Sequence, residues 1–252
     1  MPNLFLNAAK PLLTVMLLCE TAEEAIGKIR GAICAGAEAF CMQTEYLQPQ
    51  YHNRETYEKL FREMRGRPCY VTYYRGHSNR GKSDEELAEG LLLLAECGAA
   101  LCDVMGDLYC RDPEQLTVDE AAVRRQKELI LSLHKKGAAV LMSSHVLKFI
   151  PEERVMEMAL AQQERGADVV KLVTWANNPL EQLENLRLTH LLTQKLQARS
   201  LFLSGGECTL HRRLGMHLGS CMCLCTYQHD ARSSFDQPLL SVAKQIRDEL
   251  GF

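Results

Sequence analysis

The sequence has no block of like charge and only a small excess of acidic side chains. No run of five or six like charges occurs, and 29 basic side chains face 32 acidic ones for a net charge of −3. A phosphate backbone and an acidic membrane surface both attract proteins that carry concentrated positive charge. We therefore expect a partner other than nucleic acid or membrane.

Export and membrane-spanning signals are also missing. The N-terminus lacks the basic stretch followed by a long apolar run that a secretory signal requires. The apolar run Leu12–Cys19 is too short to cross a bilayer. We expect a soluble protein of the cytoplasm.

The eleven cysteines lack the context of a disulfide framework and the spacing of a metal site. Most of them, such as Cys41 and Cys102, lie in apolar strand-like segments, where a reduced thiol behaves as a small hydrophobic group. Cys221, Cys223 and Cys225 are spaced two apart, which would place them on one face of a strand, whereas zinc sites usually use Cys-x2-Cys pairs. We interpret them as packing residues in a reducing compartment and expect no metal.

Eight short apolar segments alternate with longer amphipathic ones, as is typical of βα units around a parallel sheet. The predicted strands are Leu12–Cys19, Ala37–Gln43, Cys69–Arg75, Ala99–Met105, Ala138–Ser143, Asp168–Thr174, Ser200–Ser204 and Gly219–Thr226. No Gly-rich dinucleotide-binding turn follows the first strand. Eight units in 252 residues favour a closed (β/α)8 TIM barrel of the α/β class over an open sheet. We predict one domain over residues 1–252 with an N-terminal extension at residues 1–11, although length alone also permits two domains.

Local sequence signals predict where helices begin and end. Ser/Thr-x-x-Glu capping boxes are predicted at Thr21 with Glu24, Ser83 with Glu86, and Thr117 with Glu120. A fourth helix is predicted to begin at Pro151. Helix ends that require a left-handed backbone are predicted at Gly36, Gly98, Gly137 and Gly166.

Lys171 is the residue that a purely structural reading explains least well. Catalytic groups of such barrels lie at the C-terminal ends of strands, and the ends read here offer no acidic residue to pair with Lys171. Burial without a counter-ion would lower the pKa of the lysine and favour the neutral amine, which attacks carbonyl groups. We interpret Lys171 as a Schiff-base lysine rather than as one half of a structural ion pair.

His145 is predicted on the loop that leaves the neighbouring strand, where its side chain could point into the same mouth. A histidine titrates near neutrality and can both remove and return a proton. Next to a reactive lysine, His145 is therefore a candidate general acid and base; alone, a loop histidine is more often structural.

Several motifs of the second half resemble the type I 3-dehydroquinate dehydratases. Ser144-His145, with Pro151 six residues on, is similar to the family's Ser/Tyr-His-Asp-Phe-x-x-Thr-Pro segment, and Gly166-Ala167-Asp168-Val169-Val170-Lys171 matches its Schiff-base strand. The stretch from Arg212 to Ser220 looks like its Arg-x-x-Gly-x-x-Phe-Gly-Ser segment, and Ser233 and Gln237 resemble the Ser and Gln of its lid loop. The resemblance implies a (β/α)8 barrel and an imine at Lys171. It also implies that Arg212, Ser233 and Gln237 bind the substrate carboxylate.

The first half of the chain departs from that family pattern. Cys41 and Gln43 stand where the family has the Glu and Arg that bind substrate hydroxyls. Arg75 keeps a family arginine, Asn79 replaces the Glu that orients the catalytic histidine, and Val146 replaces an Asp. All of these positions except Val146 are candidate substrate-binding residues. The changes predict a rewritten recognition of the polyol.

Three functions remain open on the sequence. The first is a hydro-lyase that removes water from 3-dehydroquinate in the shikimate route to aromatic amino acids, without a cofactor and, by family resemblance, as a homodimer. The second is an imine-forming enzyme that acts on a different keto acid. The third is a non-catalytic barrel that binds a carboxylate ligand.

Overall fold

Eight parallel strands form the barrel that the sequence predicts. The computed structural model describes residues 3–234 and 236–251. The strands are β1 Leu12–Leu17, β2 Ala39–Gln43, β3 Cys69–Thr72, β4 Leu101–Met105, β5 Ala139–His145, β6 Val169–Ala176, β7 Arg199–Gly206 and β8 Met222–Cys225.

Helices separate the strands and surround the barrel. The α-helices of the described residues are α1 Leu4–Asn7, α2 Ala22–Cys34, α3 Arg54–Glu63, α4 Asp84–Glu96, α5 Glu120–Lys135, α6 Glu152–Glu164, α7 Pro179–Lys195, α8 Leu210–Leu214 and α9 Leu240–Glu249. Short 3-10 turns occur at Thr44–Tyr46, Pro49–Tyr51, His77–Asn79 and Gly215–Leu218. In the part of the chain that the structure describes, no helix is long and apolar enough to span a membrane.

The strand order closes the sheet almost completely. Each strand from β1 to β6 pairs in parallel with the next one along the chain, and β8 pairs with β1. Cys221, just before β8, donates its backbone N–H to the carbonyl of Ser200 in β7 at 2.9 Å, which joins the two edges. All strands therefore point the same way, and their C-terminal ends surround one mouth.

Alternation along the strands divides the apolar side chains into an inner and an outer core. The inner core fills the barrel with side chains such as Tyr70, Leu141 and Val169, and Phe5 of the N-terminal extension packs among them. The outer core lies between strands and helices, where Val15 of β1 and Ile29 of α2 belong to one buried cluster. Full burial of one such aliphatic or aromatic side chain contributes about 1.5–3 kcal/mol.

All eight predicted strands differ from those of the structure by one or more residues at an end, and three of the differences bear on the site. The strand β3 ends at Thr72 instead of Arg75, and the N–H of Tyr74 points to the Glu45 carboxylate rather than to a neighbouring strand. The strand β5 continues through His145, because its pairing with β6 extends to His145 opposite Val173. His145 therefore lies on a strand and not on the exit loop. The strand β8 begins only at Met222, after the 3-10 turn that precedes it.

Most helix signals have the predicted role, and one was wrong. The Ser83 capping box is complete, Thr21 accepts the N–H of Glu24, and the four predicted glycines all have positive φ. In contrast, Thr117 does not cap α5: Asp119 accepts the N–H of Ala122, and Thr117 lies in the preceding turn. Pro151 is the N-cap of α6, so this helix begins one residue later than predicted.

Candidate active site

Lys171 lies at the centre of the barrel, one layer of inward-facing side chains below the mouth. It stands opposite Ser143 on β5, and its side chain belongs to the inner face together with Val169 and Val173. The residue is only 5 % exposed. Its Nζ lies 2.9 Å from the Tyr70 hydroxyl and 3.1 Å from the Tyr74 hydroxyl.

Asp103 is the counter-ion of Lys171, contrary to the expectation from the sequence. Its Oδ2 lies 3.3 Å from the Lys171 Nζ, and the carboxylate is fully buried. The expectation of a lysine without a counter-ion is therefore wrong. The physical reason is that Asp103 lies inside β4 on the inward face, two residues before the strand end.

The polar groups around Lys171 satisfy one another. The ammonium has three N–H donors, and Tyr70, Tyr74 and Asp103 are three acceptors for them. Both tyrosine hydroxyls donate to Asp103 Oδ2, while Ser143 donates to Asp103 Oδ1 at 2.5 Å. Burial, and then the charge of Asp103, raises the pKa of both tyrosines well above their usual range, so both stay protonated donors.

His145 lies on the same inward face as Ser143, one layer of inward-facing side chains closer to the mouth than Lys171. Gln115, on the loop after β4, directs its side-chain oxygen at both the backbone N–H and the Nδ1 of His145, each at 3.0 Å. An amide oxygen can only accept, so Nδ1 carries the hydrogen and Nε2 is the unprotonated nitrogen. The Tyr74 ring packs edge-on against the imidazole, with ring centroids 5.6 Å apart.

The charge state of His145 follows from its surroundings. Burial, followed by the positive charges of Lys171 and Arg212, holds the pKa of His145 well below its usual value of 6.5. The imidazole is therefore neutral at pH 7, with Nε2 able to accept a proton. Burial of a neutral histidine beside two cations is an arrangement suited to a base.

Arg212 approaches the mouth from α8, after β7. Its Nε donates to the Ser204 carbonyl at 2.9 Å and lies 2.9 Å from Asp236 Oδ2. Burial lowers the pKa of Arg212, and the Asp236 carboxylate opposes that shift. Ser204 lies near the C-terminal end of β7, so Arg212 lies at the same rim of the barrel as His145 at the end of β5.

The predicted lid residues Ser233 and Gln237 have different surroundings. Gln237 is buried, and its Nε2 lies 2.6 Å from the sulfur of Met16 on the inner face of β1. Ser233 donates its hydroxyl to Asp230 at 3.0 Å, and Asp230 pairs with Lys28 of α2 at 2.6 Å. Gln237 thus lies at the barrel mouth, while Ser233 belongs to a turn toward α2.

Cys41 and Gln43 occupy alternate positions of the inner face of β2. Cys41 stands opposite Tyr70 of β3 and is 1 % exposed, and Gln43 is half-buried at the strand end. Burial raises the pKa of the Cys41 thiol, so the group is a neutral thiol rather than a thiolate. This wall of the barrel is therefore uncharged.

Arg75 and Asn79 are engaged by neighbouring loops. Arg75 holds Asp84 with two bonds of 2.7 Å and Asp107 with one of 2.8 Å. Asn79 is buried, donates to the Tyr74 carbonyl at 3.1 Å and accepts from Lys82 at 2.8 Å. Among the described residues, Gln115 and not Asn79 contacts the His145 ring. A cavity of about 370 Å³ opens beside His145, lined by Tyr74, Arg75, Met105, Asp107, Arg111, Asp112, Pro113 and Gln115.

Comparisons with known proteins agree with this architecture. The family model "Type I 3-dehydroquinase" matches residues 13–248. The chain belongs to the type I 3-dehydroquinase family. A 3-dehydroquinate dehydratase of Klebsiella pneumoniae is 26 % identical over 233 residues, which cover 87 % of this chain and 86 % of that protein.

Solved structures of the family share the fold. The type I 3-dehydroquinate dehydratase of Clostridium difficile is 16 % identical, with a TM-score of 0.78 over 96 % of this chain and 92 % of that one. The 3-dehydroquinate dehydratase of Geobacillus kaustophilus is 14 % identical, with a TM-score of 0.81 over 96 % and 91 %. At these identities the likeness concerns the fold of the type I 3-dehydroquinases.

Four residues that surround Lys171 and His145 are not among those singled out from the sequence. Asp103, Tyr70 and Tyr74 could have been found, because they fall in register with inward positions of predicted strands. Gln115 could not, because the loop after β4 gives no periodic signal for where its side chain points. The Asp103–Lys171 ion pair lies one layer of side chains deeper in the barrel than the strand ends.

The Asp103–Lys171 pair leads to a stability prediction. Replacing Asp103 with Asn leaves a buried lysine without a counter-ion, so we expect the free energy of unfolding to fall by about 3 kcal/mol. Asp248→Asn, which removes one partner of an exposed pair with Lys244, should cost less than about 1 kcal/mol. Urea unfolding measures both. A loss below about 1 kcal/mol for Asp103→Asn would contradict the prediction, because it would show that the buried Lys171 does not depend on Asp103 as its counter-ion.

Glu45 leads to a prediction about pH. It is buried after β2, accepts from Thr72 at 2.8 Å, and burial raises its pKa from 4.5 to about 7. A raised pKa in the folded state stabilises the fold below pH 4.5, and this contribution is lost as pH rises through 7. Relative to Glu45→Gln, the wild type should therefore lose about 3 kcal/mol between pH 4 and 8.

Urea unfolding across that pH range provides the measurement for Glu45. The exposed Glu89 of α4 supplies the control, since Glu89→Gln should follow the wild-type pH dependence. Parallel plots of the unfolding free energy against pH for wild type and Glu45→Gln would contradict the prediction, because Glu45 would then have the same pKa in the folded and the unfolded chain.

Proposed function

We propose that this chain removes water from 3-dehydroquinate, or from a closely related cyclic keto acid, through an imine on Lys171. The observation that carries the proposal is the juxtaposition, on adjacent strands inside the barrel, of Lys171 with a histidine whose Nε2 is unprotonated. Family membership supplies the substrate class. Neither feature alone assigns the chemistry.

The first step is formation of the imine. Lys171 must lose a proton before its nitrogen can attack a ketone, and Asp103 at 3.3 Å is the nearest carboxylate that can accept it. The amine then adds to the carbonyl carbon, and the resulting carbinolamine loses water to give an iminium. Asp103 returns the proton that it took from Lys171 to the carbinolamine hydroxyl, which leaves as water. Tyr70 and Tyr74 hold the Asp103 carboxylate in place through the hydrogen bonds that they donate to its Oδ2.

The second step is the elimination. The iminium acidifies the adjacent C–H, and His145 Nε2 removes that proton while Gln115 fixes the ring through Nδ1. The protonated His145 then returns the proton to the leaving hydroxyl, which departs as water. Hydrolysis of the conjugated iminium releases the enone and restores Lys171.

Substrate binding is assigned to the groups around the mouth. Arg212, with Gln237 of the following loop, is proposed to hold the carboxylate, because a guanidinium offers two parallel donors. Ser233, whose hydroxyl is donated to Asp230, would have to turn toward the mouth to join them. The uncharged wall at Cys41 and Gln43 would face the ring hydroxyls. That wall favours the second candidate, a keto acid with fewer hydroxyl groups than 3-dehydroquinate, because a buried hydroxyl without a partner is costly.

The growth of ultraviolet absorbance from the enone tests the proposal directly. Purified protein should produce this signal with 3-dehydroquinate if the first candidate is correct. A signal only with less hydroxylated cyclic keto acids would favour the second candidate. No signal with any of them, together with measurable carboxylate binding, would favour a non-catalytic barrel.

The assembly and the cellular location are also proposals. Resemblance to the family suggests a cytoplasmic homodimer that works without a cofactor. Light scattering on the purified chain tests the dimer, since the mass should be twice the 28.5 kDa of the chain.

A further inference from the structure

The carboxylate-binding arginine already has a carboxylate beside it. Asp236, on the loop between β8 and α9, places Oδ2 at 2.9 Å from the Nε of Arg212. Both side chains are largely buried, with 11 % of Arg212 and 14 % of Asp236 exposed. Asp236 also accepts the hydroxyl of Ser234 through Oδ1, which fixes the carboxylate in place.

We propose that Asp236 is a specificity-determining residue that weakens the affinity of the site for anionic substrates by offsetting the charge of Arg212. This inference rests on the proposed function, in which Arg212 binds the substrate carboxylate. The negative charge of Asp236 repels the negative charge of a ligand in the mouth. The site therefore favours a singly charged keto acid over a more highly charged one.

The contact geometry indicates that Asp236 acts through its charge rather than by orienting Arg212. The Nε atom carries a single hydrogen, and the Ser204 carbonyl lies at the same 2.9 Å as Asp236. Removing the Asp236 charge therefore leaves an acceptor that holds the guanidinium in place.

The other charges near the mouth do not compensate for Asp236. Lys171 is paired with Asp103, and Arg75 is paired with Asp84 and Asp107. The Lys171 pair is neutral overall, and the Arg75 group carries a net charge of −1, so neither supplies net positive charge. With Asp236 present, the Arg212 region is also close to neutral, and an incoming carboxylate meets little net positive charge.

The size of the effect follows from the distance between like charges. A ligand carboxylate on the other edge of the guanidinium would lie roughly 6 Å from that of Asp236, where repulsion in a partly buried site corresponds to a factor of about ten to one hundred in Kd. We take the lower value, since the mouth is open to solvent.

Binding of two non-reactive ligands to Asp236→Asn tests the proposal. Quinate, the alcohol that corresponds to 3-dehydroquinate, cannot form an imine, and its methyl ester lacks the negative charge. Asp236→Asn should bind quinate about tenfold more tightly than wild type does, while the affinity for the ester should change less than twofold. Calorimetry measures Kd, and the fluorescence of Trp175 provides a second readout. It is the only tryptophan of the chain, and a Cβ at Gly205 would contact both its ring and Asp236.

A matched control removes a different carboxylate that holds the same loop. Glu20 pairs with Arg232 at 2.9 Å and does not contact Arg212. Glu20→Gln should bind quinate as wild type does, so a gain there would attribute the effect to a looser loop and overturn the proposal. Unchanged or weaker quinate binding by Asp236→Asn would also overturn it.

Borohydride trapping distinguishes a failure of this inference from a failure of the proposed function. If borohydride traps 3-dehydroquinate on Lys171 in the wild type but Asp236→Asn shows no gain for quinate, the inference about Asp236 fails alone. If quinate does not bind and nothing is trapped, the assignment of Arg212 and Lys171 fails as well.

Discussion

Replacing Lys171 with Met should lower the turnover of 3-dehydroquinate by at least about 10⁴-fold, because the chemistry then has no nitrogen with which to form the imine. Met keeps the length of the side chain, so the inner core remains filled. The variant leaves Asp103 buried without its cation, but Ser143, Tyr70 and Tyr74 still donate to that carboxylate. Steady-state kinetics measure the loss, and circular dichroism confirms folding.

Lys148 provides the matched control for this substitution. It lies after β5, pairs with Glu114 at 2.9 Å, and has a side chain that is 64 % exposed. Lys148→Met should keep turnover within about twofold of wild type. A folded Lys171→Met protein with more than a hundredth of wild-type activity would exclude a covalent role for Lys171.

Replacing His145 with Ala should lower kcat by about 10²–10⁴-fold while the imine still forms, because proton transfer and bond formation belong to different residues. The pH dependence should also carry a signature. Since the pKa of His145 is held well below 6.5, the base stays unprotonated at that pH, and wild-type kcat/KM should fall only under more acidic conditions.

Gln115→Leu tests how much the orientation of the His145 ring contributes to the rate, because the variant keeps the imidazole itself. Losing the acceptor at 3.0 Å from Nδ1 should lower kcat by about tenfold and leave borohydride trapping intact. If His145→Ala turned over as fast as wild type, or if the acid limb of the profile lay at or above pH 6.5, His145 would not be the base.

Much of the barrel could be predicted from the sequence because its signals are local. Ser83 marks the beginning of a helix, and Gly98 and Gly137 mark the ends of helices. Apolar segments of strand length lie between consecutive helices. The bounds of β3 and β5 could not be obtained in this way, because they depend on pairing with neighbouring strands.

The candidate site was only partly accessible for a different reason. Lys171 and Arg212 stand in recognisable motifs, but the partners of each are distant in sequence: Asp103 is 68 residues from Lys171. Alternation within a strand places Asp103 on the inward face, yet it does not say which strand lies opposite. Gln115 and Asp236 lie on loops, where no periodicity indicates the direction of a side chain.

Trapping with borohydride tests the central claim, which is that Lys171 bonds covalently to the substrate. Wild-type protein incubated with 3-dehydroquinate or a related keto acid and then reduced should gain, on the peptide that carries Lys171, the mass of the ligand or of its dehydration product, less one oxygen. His145→Ala should give only the adduct of the ligand that has not lost water, and Lys171→Met should give none. An adduct on another lysine such as Lys148, or no adduct in a protein that nevertheless turns the substrate over, would contradict the account.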